Sequence, residues 1–259
     1  MTLVKLRLNH DYRDLSVRFG VSVSTANWIV NSLLPALHAV VFQSVMKEVP
    51  SQDQNKDSLP ICFLSFTNCR MVIDCTEMKC QGPKNFAKQK KIFSNYKHYT
   101  SLKLLLGIGP NGGGVFCSSL YPGSTSDKKI VEHSRVLKHF EAGDLILADK
   151  GFLITEMLPT GVSVNLPPIL SNGHFTANQI LRTRNIARAR IHVERFNARF
   201  KNYRIVHCIP SVCFKRATMI TQTVVGLVNF QNLLIKEVEK YLRKENSDAN
   251  ISCNGEVSE

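Results

Sequence analysis

Asp74, Asp149 and Glu194 are the acidic residues whose settings suggest chemistry. Met71-Val-Ile-Asp74 is a short apolar run ending in a carboxylate, as a buried strand reads where it leaves the core. A charge there is costly unless something positive compensates it. Asp149 ends a second run, Leu145-Ile-Leu-Ala148, and is followed by Lys150-Gly151. Glu194 lies in Arg190-Ile-His-Val-Glu-Arg195, inside a long basic stretch. Two carboxylates at strand ends and a third on a helix can converge to hold two divalent metal ions, the arrangement for in-line attack on a phosphodiester. For Glu194 the competing reading is a buried ion pair with an arginine.

The charge distribution bears on the substrate. The net charge of +13 divides into +1 over residues 1–60, +8 over 61–140, +4 over 141–204 and zero over 205–259. The excess surrounds the three carboxylates, and basic charge around an acidic site suits a polyanion such as nucleic acid. No run reads as long and uncharged enough to span a membrane, and the first residues do not read as a signal peptide. Of the eight cysteines none forms a C-x-x-C pair, which fits a reduced intracellular compartment. A zinc site built from Cys69, Cys75, Cys80 and a histidine is the alternative use of the thiols.

These residues need elements to position them. Residues 1–10 read as a first helix, Asp11–Phe19 as a second ended by Gly20, and Val23–Leu34 as a third, capped by Ser22 and stopped by Pro35. The last two form a helix-turn-helix, presenting Ser22, Ser24, Thr25 and Asn27 for base edges. Trp28 and Ile29 would pack inward or against a sugar edge. Residues 51–60 are polar and read as a linker. Beyond it come strands to Asp74, over Ser101–Ile108 and over Val115–Tyr121, joined by the hairpin chemistry of Gly109–Gly114. No phosphate-cradling G-x-x-x-x-G-K-[ST] occurs. A helix follows over Asp127–His139, then the strand to Asp149, a short helix over Ile154–Leu158 and a strand over Val162–Leu166 stopped by Pro167-Pro168. Thr176-Ala-Asn-Gln179 is a capping box opening a helix to about Tyr203. Ile180, Ala187, Ile191, Glu194 and Ala198 share one face of it, which would put Glu194 on the core side. Residues 217–240 read as a last apolar helix. Between Gln81 and Tyr99, Lys84, Lys88, Lys90, Lys91 and Lys97 alternate with Phe86, Phe93, Tyr96 and Tyr99, a pattern for gripping a backbone and stacking on bases. Lys97, Arg190, Arg195 and Arg199 are the candidate phosphate contacts. The expected fold class is α/β, a mixed sheet with helices packed on it.

Val72-Ile-Asp-Cys-Thr-Glu77, Ser94-Asn-Tyr-Lys-His98, Gly107-Ile-Gly-Pro-Asn-Gly112, Pro122-Gly-Ser-Thr-Ser-Asp-Lys128, Ala148-Asp-Lys-Gly-Phe152, Asn165-Leu-Pro-Pro168 and Ala187-Arg-Ala-Arg-Ile-His-Val-Glu-Arg195, in this order and spacing, resemble eukaryotic DDE transposases of the PIF/Harbinger type. The resemblance covers nearly the whole chain. It implies a ribonuclease H-like fold over residues 61–242, preceded by a helix-turn-helix domain at 1–50 truncated at its start, and followed by a polar tail at 243–259. It implies Asp74, Asp149 and Glu194 as the catalytic trio, binding two Mg²⁺ or Mn²⁺ ions. The implied partners are double-stranded DNA at element ends and target, with a homo-oligomer and an accessory DNA-binding protein as candidates, no membrane, and work in the nucleus. The alternative is a domesticated relative acting only as a DNA-binding or scaffold protein.

Overall fold

The structure is a computed structural model and describes residues 1–56, 59–83, 85–149, 151–166 and 176–235. Lys84, Lys150, Pro167-Pro168, the end of the expected last helix and the polar tail lie outside the described residues.

The chain opens with α1 (Thr2–Leu8), α2 (Tyr12–Phe19) and α3 (Val23–His38). Asp11 caps α2 by accepting from Asp14 N, and Gly20 closes it at a φ of 64°, the left-handed conformation that suits glycine. Ser22 caps α3 by accepting from Thr25 N at 3.0 Å. Pro35 was expected to end α3. Instead it lies inside the helix, which runs on to His38 and continues as a π-helical turn, Ala39–Gln43. A proline inside a helix withholds its own N–H and its ring crowds the carbonyl four residues back, a cost offset here by the apolar stripe Ala26, Val30, Leu34, Val41 buried across it. The joined helix Val23–Gln43 has 21 residues and is long and apolar enough to cross a membrane by length and composition, contrary to the sequence reading. Its buried face packs against α2 and against α8 (Ala217–Asn229). The approach is close: a Cβ on Gly226 of α8 would lie 2.3 Å from the Val41 carbonyl oxygen. Leu6 and Leu34 join the same core as the central strand, so the N-terminal helices are built into the body of the protein. The expected linker holds α4 (Gln52–Lys56), whose buried Asn55 donates to the Arg70 carbonyl.

One sheet organises the rest. Its elements are β1 (Cys69–Cys80), α5 (Phe86–Ile92), β2 (Phe93–Ser94), β3 (Tyr99–Ile108), β4 (Gly114–Cys117), β5 (Tyr121–Pro122), α6 (Asp127–Ser134), β6 (Leu145–Leu147), β7 (Ser163–Asn165), α7 (Ala177–Lys201) and β8 (Cys208–Ile209). The order is β2-β3-β1-β6-β7, with β4 and β5 added to β3 and β8 to β1. β3 runs antiparallel to β1, whereas β6 and β8 run parallel to it and β7 parallel to β6. The strand expected over Val115–Tyr121 is split into β4 and β5, and the short strands β2 and β8 and the helix α5 are absent from the sequence reading. A two-residue strand carries too little periodicity to register, and the seven residues of α5 hold only Phe86, Ala87 and Ile92 as apolar side chains, too few for a repeating stripe.

Each face of the sheet has its own core. Val72, Met78, Leu104 and Leu106 pack with Ile186, Val193, Phe196 and Phe200 of α7 and with α8. Met71, Ile73, Leu105 and Ile146 pack with Ile130 and Val131 of α6 and with Phe152. A buried ion pair, Arg70 Nη1 to Asp144 Oδ2 at 2.9 Å, ties the start of β1 to the entrance of β6. Glu141 N donates to the same oxygen, which satisfies the carboxylate in a setting where an unpaired charge would be costly.

Candidate active site

The parallel pairing of β1 with β6 ends at Val72 opposite Leu147. Two residues beyond that pair lie Asp74, still within β1, and Asp149, just past the end of β6, so the ladder itself brings two carboxylates to one level of the sheet. β8 takes up the same edge of β1 only at Lys79. Between Val72 and Lys79 that edge has no strand partner among the described residues, and a cleft of about 610 Å³ opens there. Crevices outside the carboxyl ends of parallel strands are the usual ligand sites of such sheets. Asp74 therefore lies mid-strand rather than at the strand end expected from sequence: β1 continues to Cys80 because β3 pairs with it without interruption as far as Lys79.

α7 supplies the third carboxylate, on a different face from the one expected. Its buried stripe is Ile186, Ala189, Val193, Phe196 and Phe200. The expected stripe is exposed at Ile180, Ala187, Ile191, Glu194 and Ala198. Both stripes keep helical spacing, and the one with two phenylalanines buries more apolar area. Glu194 lies beside the core stripe on the flank it shares with Arg190, Asn197 and Lys201, at steps of four, three and four. Glu194, Asn197 and Lys201 line the cleft with Asp74 and Asp149.

The electrostatics of the cluster are unbalanced. The Asp74 carboxyl is pushed up to about 6, first by burial and then by the negative charge of Glu194, with Arg190 and a hydrogen bond from Asn197 opposing. That hydrogen bond, Asn197 Nδ2 to Asp74 Oδ2, is 2.7 Å. The Asn197 Oδ1 atom is buried without a hydrogen-bond partner among the described residues. Asp149 accepts from Arg190 Nη1 at 3.1 Å. Among the described residues no group of three His, Cys, Asp or Glu is drawn close enough to hold a metal ion. The donors are nonetheless hard oxygens of the kind magnesium takes, and a divalent cation would offset the repulsion between Asp74 and Glu194. The cysteine alternative fails: Cys69 is buried, Cys75 half-buried, and burial pushes both thiols well up, away from the thiolate a zinc ligand must be.

The other expected contacts divide. Lys97 borders the carboxylate cleft, its ammonium 4.8 Å from the Tyr96 ring centroid. Arg190 is turned inward to Asp149 rather than outward for phosphate. Arg195 lines a separate groove with Arg184 and Arg188, and Arg199 donates to the Asn232 carbonyl. On α3, Ser22 is occupied as a cap, with the Ser24 and Thr25 hydroxyls each 2.8 Å from its Oγ. Asn27 meets Asn31 and faces a cavity shared with Arg216. Trp28 does not pack inward: it is 68% exposed. Sequence reasoning missed Asn197, although its place three residues after Glu194 on one helix flank was a usable signal.

Residues 73–229 match the family model described as DDE superfamily endonuclease. This chain belongs to the DDE superfamily endonucleases. Residues 1–42 match the helix-turn-helix of DDE superfamily endonucleases. No curated protein and no solved structure is significantly similar to it. The mixed sheet, with β3 antiparallel and β6 and β7 parallel to β1, is the ribonuclease H-like fold of these nucleases. Membership makes the chain a transposase-like nuclease with DNA as the partner of both regions, in a family that generally uses divalent metals.

Proposed function

We propose that this endonuclease is of the PIF/Harbinger transposase type and cuts DNA phosphodiesters at the cleft between β1, Asp149 and α7. The carrying observation is the placement of Asp74 and Asp149, each two residues past the last β1–β6 pair, with Glu194 facing the same cleft. Two Mg²⁺ or Mn²⁺ ions held by Asp74, Asp149 and Glu194 would supply the activation of the attacking water or 3′-hydroxyl and the stabilisation of the leaving oxygen. The chain's own residues orient and attract. Asn197 fixes the Asp74 carboxylate through its 2.7 Å bond. Lys97 and Lys201 set positive charge at the cleft, where a phosphate backbone is drawn in. The exposed positions of α3, Ser24, Thr25 and Trp28, are the ones that would meet DNA. A nuclear location follows from the substrate.

Nicking of supercoiled plasmid with Mn²⁺ tests the reading. The expected result is conversion to open circle that EDTA prevents. A pure, folded protein that leaves the plasmid supercoiled at all Mn²⁺ concentrations would show a DNA binder or scaffold instead.

A further inference from the structure

Arg190 is a cation lodged among carboxylates. Its Nη1 donates to Asp149 Oδ1 at 3.1 Å. Its side chain is 14% exposed, against 55% for its partner, so the arginine has entered the cluster and the aspartate has not been drawn under cover. Its Nε is buried without a hydrogen-bond partner among the described residues. Its charge also acts on Asp74, opposing the upward push of burial and of Glu194. A guanidinium carries five N–H donors in a rigid fork, and a pair built for stability would match more of them. Burying such a fork while leaving Nε unmatched costs stability, which points to a role beyond holding the fold. The position is the informative part. Arg190 reaches Asp149 from the helix flank that carries Glu194, one turn earlier, and its charge acts on Asp74 as well as on its partner.

We infer that Arg190 is a resident counter-ion of the metal-free site, which competes with the divalent cation for Asp149 and leaves it when the site is loaded. This rests on the two-metal reading of the cleft. Arg190 is a positioning residue by this account: it holds Asp149 and sets how tightly metal binds, and it touches no reacting atom. Charge of the same sign within a few ångströms of a divalent cation disfavours it, and removal of that charge favours it.

Isothermal titration of Mn²⁺ at pH 8 tests this, at a pH where Asp74 is ionised with or without the arginine. The full chain would be compared with Arg190→Gln, Arg190→Lys and Asp74→Asn. Arg190→Gln should bind Mn²⁺ about tenfold more tightly than the wild type, and Arg190→Lys, which keeps the charge, within about twofold of it. Equal or weaker binding by Arg190→Gln, with binding still lost in Asp74→Asn, overturns this inference and leaves the metal site standing. A wild type that binds Mn²⁺ no better than Asp74→Asn overturns both. If Arg190→Gln does not fold, ¹⁵N-arginine NMR of the wild type decides with Mg²⁺ as the probe. The Arg190 Nε–H signal should move and exchange faster with water as Mg²⁺ is added, and a signal unmoved at saturation overturns the inference.

Discussion

Asp74 and Glu77 sit three residues apart on β1, on opposite faces of one sheet, and their surroundings differ in kind. β1 pairs with β3 without a register shift from Val72 to Lys79, so side chains an odd number apart point to opposite faces. On the α6 face, Glu77 accepts from Ser101 Oγ at 2.8 Å and lies 3.6 Å from Lys103. Lys103 also reaches Asp127 at 3.2 Å. Each of these three charges has a partner. On the α7 face, Asp74 has Glu194 for a neighbour and a raised pKa. Both residues border the cleft, because it opens over the unpaired edge of β1. Proximity alone does not separate them; the difference lies in what each face provides. A carboxylate matched by cations stabilises the fold, and a cluster of three carboxylates that shares one buried arginine is poised for a further cation.

The comparison breaks most sharply in catalysis. Asp74→Asn, Asp149→Asn and Glu194→Gln should each take Mn²⁺-dependent plasmid nicking to background with the circular dichroism spectrum unchanged, and Glu77→Gln should keep nicking within a few-fold of wild type. An inactive, folded Glu77→Gln or an active Glu194→Gln would reverse the assignment of the faces.

DNA binding sharpens it next. If about six phosphates are neutralised, affinity should fall roughly a thousandfold between 50 and 200 mM salt. Lys201→Gln, on the α7 face, should lower the salt slope by about one charge. Lys103→Gln should leave the slope unchanged, since its ammonium is held by Asp127 and Glu77. Filter binding at several salt concentrations measures both, and equal slopes for the two variants would erase the distinction.

Stability against pH comes third. Asp74 holds its proton more tightly folded, at about 6, than its ordinary 3.8. Its protonated form favours the folded state, so that contribution is fully present below about pH 4 and is lost as pH rises through about 6. Urea unfolding of the metal-free protein should show this loss, of about 3 kcal/mol, and Asp74→Asn should flatten it over that window. A slope unchanged in Asp74→Asn would place its origin elsewhere.

The smallest effect belongs to the satisfied face. Glu77 is 7% exposed, and Glu77→Gln loses a charge-assisted bond while Lys103 keeps Asp127. The cost should be about 1–2 kcal/mol in urea unfolding. No measurable loss would mean that Asp127 alone satisfies the lysine.

Much of this was legible in the chain. The apolar runs before Asp74 and Asp149, the capping box at Thr176, and the caps at Asp11 and Ser22 all depend on neighbours within a few residues. Local hydrogen bonds and local hydrophobic patterning decide them, and both can be read along a sequence. Charge likewise read off directly along the chain, with the excess of +8 and +4 over residues 61–140 and 141–204, the stretches that hold the three acids.

Tertiary structure decided what depends on a choice among equivalent local options. α7 carries two stripes at helical spacing, and only packing against Val72, Met78 and Leu106 shows that Phe196 and Phe200 face the core and Glu194 its flank. Pro35 does not end α3, because α8 covers the helix beyond it. Arg190 reads as a surface phosphate contact until the fold sets Asp149 beside it. The unpaired edge between Val72 and Lys79, which makes the cleft, exists only because β6 stops early and β8 starts late. These contacts join residues far apart in sequence, where pattern carries no information about distance, and only the folded chain brings them together.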